Sequence, residues 1–215
     1  GRARVLVYNT DNVKASDMPK TLNDLCDPKW KGRMGWAPTN SSFQTMVTAM
    51  RKLWGEDKTL EWIKCMMAND IKIYPKNTPQ VEAAGKAEID IGLVNHYYLY
   101  KFILDASEGD KFKARNLHLD SGGPGSLVMV SPIGILNTAK NKDNAQQFVD
   151  FMISKVAQNY FVHSTREYAL IDGVKSGHPL ITPLSDITKV NISLSDLADI
   201  QGSARLLQEA GALPK

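Results

Sequence analysis

Short apolar, β-branched runs alternate with stretches of helical spacing along most of this chain, and that alternation most narrows what it can fold into. Residues 3–8, 33–37, 71–74, 89–94, 114–119 and 126–130 read as strands. Between them, Phe43, Val47, Met50 and Trp54 share one helical face over Phe43–Trp54, and Gly55 ends the run. Lys58–Met67 is expected to form a second helix, and Thr78-Pro79 starts a third by cap-plus-proline logic. Thr21–Cys26 predicts a short helix stopped by Asp27-Pro28, and Leu99–Ala106 is helix-like. Asn144–Ile153, Val156–Val162 and Leu194–Ala210 supply the remaining helices, and Ser121-Gly122-Gly123-Pro124-Gly125 is a breaker cluster. The pattern predicts an α/β architecture with mostly parallel pairing. The apolar runs at 3–8 and 126–131 read as connections between two lobes.

With 215 residues the chain suffices for one large domain or two small lobes. Its net charge of +3 comes from dispersed Lys and Arg with no basic stripe, so nucleic acid is not an expected partner. The apolar runs are short and interrupted, and none reads as membrane-spanning. Cys26 and Cys65 lie outside any Cys-x-x-Cys pair, which removes support for zinc-ribbon and thioredoxin readings. A disulfide in an oxidising compartment and two buried thiols both remain open. The chain opens on Gly1-Arg2-Ala3-Arg4, already strand-like, as expected of a mature form or a fragment. Enzyme motifs such as His-Glu-x-x-His are missing, and His118, His163 and His178 have no carboxylates at telling spacing, so catalysis is not expected.

The run Asn95-His96-Tyr97-Tyr98 follows the strand-like 89–94 and precedes Leu99–Ala106, the carboxyl end of a strand turning into a helix. Ligands of open α/β sheets bind there. Successive strand side chains point to opposite faces, so two neighbouring phenols converge only where the chain leaves the strand. Converging phenols form a hard oxygen pair that a highly charged cation can deprotonate, and ferric iron suits it. Packing, with each hydroxyl reaching water or a carbonyl, is the alternative the pair alone leaves open. Asn40-Ser41-Ser42 and Asn77-Thr78 mark two further strand-to-helix junctions. Unpaired N–H groups at such starts attract small oxyanions, while the same residues also serve as simple caps.

Gly-Arg-Ala-Arg-Val-Leu-Val-Tyr (1–8), Pro-Lys-Trp-Lys-Gly-Arg-Met-Gly (28–35), Ala-Pro-Thr-Asn-Ser-Ser-Phe (37–43), Lys-Asn-Thr (76–78) and Ile-Gly-Leu-Val-Asn-His-Tyr-Tyr (91–98) together resemble periplasmic ferric-iron-binding proteins. These are the substrate-binding components of ABC iron importers. The resemblance implies a type 2 periplasmic-binding-protein fold, mostly the C-terminal lobe plus part of the N-terminal lobe. Residues 1–127 with 179–215 would form the C-terminal ligand-binding lobe, 1–10 lying in the lobe connection, and 128–178 would belong to the incomplete N-terminal lobe. Relatives carry about a hundred further residues ahead of this point. Those residues typically supply a histidine and a carboxylate to the metal.

By the same resemblance Tyr97 and Tyr98 are iron ligands. Asn40, Ser41, Ser42, Asn77 and Asn95 would hold a synergistic anion, carbonate or phosphate, and Arg2 is the nearest match to an arginine that sometimes joins them. Phe43 stands where some relatives have a third tyrosine and cannot ligate. His96 is expected to be a solvent-facing bystander. The implied protein is a periplasmic monomer (extracellular and membrane-anchored where there is no outer membrane) that delivers Fe3+ to an ABC permease at the inner membrane. Alternatives are another small solute on the same fold, such as thiamine, a polyamine or a tetrahedral oxyanion, and the effector-sensing domain of a transcription regulator.

Overall fold

Strand β1 (Arg2–Asn9) is buried along nearly its whole length, which is why it reads as a continuous apolar run rather than an alternation. The computed structural model describes residues 1–119, 122–175 and 178–214. After β1 come β2 (Met34–Trp36), α1 (Ser41–Trp54), α2 (Glu56–Ala68), β3 (Lys72–Ile73), α3 (Asn77–Gly85), β4 (Ile91–Asn95) and β5 (Ala114–Leu117). β6 (Val128–Met129), α4 (Lys142–Met152), α5 (Lys155–Tyr160) and α6 (Ile200–Glu209) follow. The chain divides into two compact units, Ala3–Leu127 with Thr188–Lys215 and Gly1–Arg2 with Val128–Ile187.

In the larger unit the sheet runs β3-β2-β4-β1-β5. β2 pairs parallel with β3 and β4, whereas β1 runs antiparallel to β4 and β5. The fold is α/β as expected, but the sheet is mixed rather than mostly parallel. An apolar run reads the same in either direction, so only tertiary pairing fixes which way a strand points.

Helix α1 begins where Asn40 Oδ1 accepts the Ser42 N–H, and it ends at Gly55, whose φ of 86° favours a residue without a side chain. Its buried face is Phe43, Met46, Val47 and Met50. Phe43 meets Trp36 edge-on at 5.3 Å, and Trp36 meets Trp62 of α2 at 6.4 Å. Full burial of one such side chain is worth about 1.5–3 kcal/mol. Cys26 and Cys65 form a disulfide that ties the turn Leu22–Cys26 to α2, which settles the choice the sequence left open.

Local differences from the sequence expectations have local causes. Leu99–Ala106 is not α-helix but a 3-10 turn at His96–Leu99 followed by a π turn at Lys101–Asp105. Only Val128–Met129 of the expected strand 126–130 pairs; Ser126 instead closes a 3-10 turn and its hydroxyl bonds the Leu119 carbonyl. Ser121 of the breaker cluster lies outside the described residues. The C-terminal helix is shorter than expected, because Asp199 caps a fresh start by accepting the Gly202 N–H at 2.9 Å.

The smaller unit contains α4 and α5. Ala157, Val162, Tyr168 and Ile181 are buried, and Tyr168 donates its hydroxyl to the Thr182 carbonyl. Helix α4 is amphipathic yet buries none of its residues within the unit, and Phe148, Phe151, Val156 and Tyr160 are exposed. Among the described residues no helix is long and apolar enough to cross a membrane.

Candidate functional site

The chain leaves β4 at Asn95 and enters the 3-10 turn at once. That turn lets two consecutive side chains lie on one side, which a continuing strand would forbid. The Tyr97 and Tyr98 rings stack with centroids 4.3 Å apart and planes at 29°, and both residues are half-buried. The Lys101 ammonium lies 5.5 Å from the centre of the Tyr98 ring. From the neighbouring strand β5, Asn116 donates to the His96 carbonyl at 2.8 Å and pins the turn.

Tyr100, two residues on, is a different case. It is 2 % exposed, and burial pushes its phenol up to about 12 despite an opposing hydrogen bond with Asn116. It stays protonated at neutral pH, so this stretch carries two half-buried phenols and one buried phenol. Phe43 is fully buried and is no donor.

His96 is not solvent-facing as expected. It is 0 % exposed, and its Nδ1 accepts the Ala3 N–H at 3.2 Å. The 3-10 turn folds the imidazole back over the start of β1, and an accepting Nδ1 places its ring proton on Nε2.

Around Asn95 a buried network forms. Arg4, 1 % exposed in the middle of an apolar strand, donates from Nη1 to Asn95 Oδ1 at 3.1 Å and to Ser42 Oγ at 3.3 Å. Ser42 Oγ in turn donates to Asn40 Oδ1 at 2.5 Å. Asn40, Ser42 and Asn95 therefore come together, while Ser41 is exposed at the first residue of α1. Asn77 opens α3, which packs on β4 and on the tyrosine turn. It is 1 % exposed, and neither of its amide atoms has a hydrogen-bond partner among the described residues. A buried amide in that state costs about 1–3 kcal/mol, so an occupant that bonds it gains accordingly. Arg2 falls in the smaller unit, half-buried, its Nε likewise without a partner among the described residues.

Arg4 is the residue that sequence reasoning missed. The signal was present: a charge flanked by Ala3 and Val5 in an apolar strand is almost never buried unless it is bonded. Among the described residues no cluster of three or more His, Cys, Asp or Glu comes together.

The fold and this strand-end site define a solute-binding protein. The chain belongs to the bacterial extracellular solute-binding protein family, whose model matches residues 1–187. It is 34% identical over 213 residues to the major ferric iron-binding protein of Neisseria meningitidis serogroup B, covering 98% of this chain and 63% of that protein. It is 32% identical over 214 residues to the Fe(3+)-binding periplasmic protein of Serratia marcescens, covering 99% and 62%. The crystal structure of iron-bound HitA from Pseudomonas aeruginosa superposes with a TM-score of 0.89 at 32% identity, covering 98% of this chain and 67% of that one. These relatives are solute-binding proteins and not enzymes, in line with the motif reading. The chain spans a little under two thirds of the length of the curated relatives it matches.

Proposed function

We propose that the larger unit captures ferric iron through the phenolates of Tyr97 and Tyr98, with a synergistic anion beside them. The observation that carries this is the stacked, half-buried phenol pair at 4.3 Å on the turn that leaves β4. Asn40, Ser41, Ser42, Asn77 and Asn95 would hold carbonate or phosphate, and the unsatisfied amide of Asn77 supports an occupant there. Arg2 would be a further donor to the anion, as the nearest match to the arginine that the resemblance implies.

Residues 1–127 with 179–215 would act as the ligand-binding lobe. The segment 128–178 would belong to a lobe completed by polypeptide that the relatives possess and this chain does not span. The exposed apolar side of α4 and α5 supports that assignment. The intact protein would work as a monomer in the periplasm, or at the cell surface on a membrane anchor, and would deliver Fe3+ to an ABC permease. The Cys26–Cys65 bond suits an oxidising compartment. The ferric-iron-binding relatives and the family match favour this reading over an effector-sensing domain or another cargo.

Iron binding releases the phenol protons, so acid or loss of the anion would release the cargo. Ferric iron titrated in the presence of phosphate or carbonate is expected to raise a visible tyrosinate-to-iron charge-transfer band. The band should weaken sharply in Tyr97→Phe. A colourless wild-type titration would contradict the proposal.

A further inference from the structure

The hydrogen bonds around Arg4 run in one direction only. A guanidinium carries five donors and no acceptor, so the Asn95 atom facing Arg4 Nη1 at 3.1 Å has to be the amide oxygen. Ser42 Oγ, 3.3 Å from the same nitrogen, is also an acceptor there, and it passes its own proton to Asn40 Oδ1. The Ser42 backbone N–H, which can only donate, reaches that same Asn40 oxygen at 3.0 Å. Amide orientation is usually a matter of inference. Here fixed donors decide it for both asparagines. Their oxygens are engaged, and the NH2 ends are what remain to meet an occupant.

Strand pairing makes the arrangement stiff. Arg4 and Asn95 stand directly opposite each other in the β1–β4 register, so their side chains share one face of the sheet. Ser42 and its cap Asn40 come from the start of α1, which brings helix and strand end to one guanidinium.

We propose that Arg4 is a positioning residue that sets the polarity of the anion subsite. By donating to Asn95 directly, and to the Ser42 hydroxyl that reinforces the backbone N–H on Asn40, it keeps both asparagines as donors toward the occupant. A lining of this kind accepts oxygens that bring lone pairs and no proton of their own, as in carbonate or the three unprotonated oxygens of doubly ionised phosphate. At Asn40 and Asn95 it offers no acceptor to the proton of a neutral hydroxyl compound, so it disfavours one there. The inference rests on the iron-and-anion reading above and adds how that site chooses its anion.

The test measures inorganic phosphate binding by calorimetry at fixed ionic strength, beside a separate ferric titration of the wild-type chain read by its charge-transfer band. Arg4→Lys keeps a donor-only cation and should bind phosphate within about threefold of wild type, whereas Arg4→Met should lose about tenfold or more, the scale of a lost bond to a charged group. Asn95→Asp serves if Arg4→Met does not fold: it keeps the bond to Arg4 but faces the anion with an acceptor, and should lose at least as much. A merely structural role for Arg4 would lower the melting temperature without this rescue pattern. Wild-type affinity in a folded Arg4→Met or Asn95→Asp variant, or no phosphate binding by wild type, overturns the inference. The iron reading stands or falls separately, on the band.

Discussion

Asn77 is sealed at 1 % exposure with both amide atoms unbonded among the described residues, a state that a protein without an occupant would gain by losing. Asn77→Leu should therefore raise the stability of the anion-free chain by about 1–2 kcal/mol while weakening phosphate binding. Urea unfolding and calorimetry check the two halves; a destabilised variant would show that the amide has a structural partner. The placement of Tyr97, Tyr98 and Asn95 at a strand end, and the cap at Asn40, were legible because their signal is local. Thr78-Pro79, by contrast, misplaced the start of α3, which begins at Asn77 with no side-chain cap. Arg4 was not legible, because its role comes from register. Its partner stands 91 positions away, brought opposite by the antiparallel pairing of β1 with β4. His96 was misjudged for a related reason, since a 3-10 turn and not a helix follows the strand.

At the scale of elements, α6 is held on α1 by a buried Thr48–Ser203 hydroxyl bond of 2.7 Å and a rim of ion pairs. Asp196 is drawn down to about 2, first by Lys52 and then by Ser193, and Asp199 is lowered by the Gly202 N–H and then Arg51. Both folded values lie below the ordinary 3.8, so these carboxylates favour the folded state above that pH. The Asp196 contribution is lost as the pH falls from 3.8 toward about 2, and that of Asp199 as the pH falls below 3.8. Asp199 is exposed and Asp196 half-buried, and both pairs are screened by salt, so the effect is modest. Melting temperatures across that window should slope less in Lys52→Met than in wild type; parallel slopes would remove the Asp196 pair from the account. Helix α1 and its stop at Gly55 were readable from spacing, because burial on one face imposes it. Strand direction and the π turn at Lys101–Asp105 were not, since both depend on contacts distant in sequence.

Across the whole molecule, the Cys26–Cys65 bond closes a span of 39 residues. Replacing both cysteines with alanine should cost about 2–4 kcal/mol in chemical unfolding; an unchanged midpoint would mean that packing alone holds the turn to α2. In the smaller unit, Phe148, Phe151, Val156 and Tyr160 make an apolar face of the kind that marks a contact surface. Hydrogen exchange should show α4 amides better protected in a longer parent polypeptide than in this chain, and equal exchange would contradict the incomplete-lobe assignment. The central claim is that neighbouring phenols at 97 and 98 share one ferric ion. Resonance Raman spectra excited in the charge-transfer band test it most directly. Phenolate ring modes should appear in wild type, weaken in Tyr97→Phe and in Tyr98→Phe, and vanish in the double variant. Modes that survive the double variant would place the iron on other ligands.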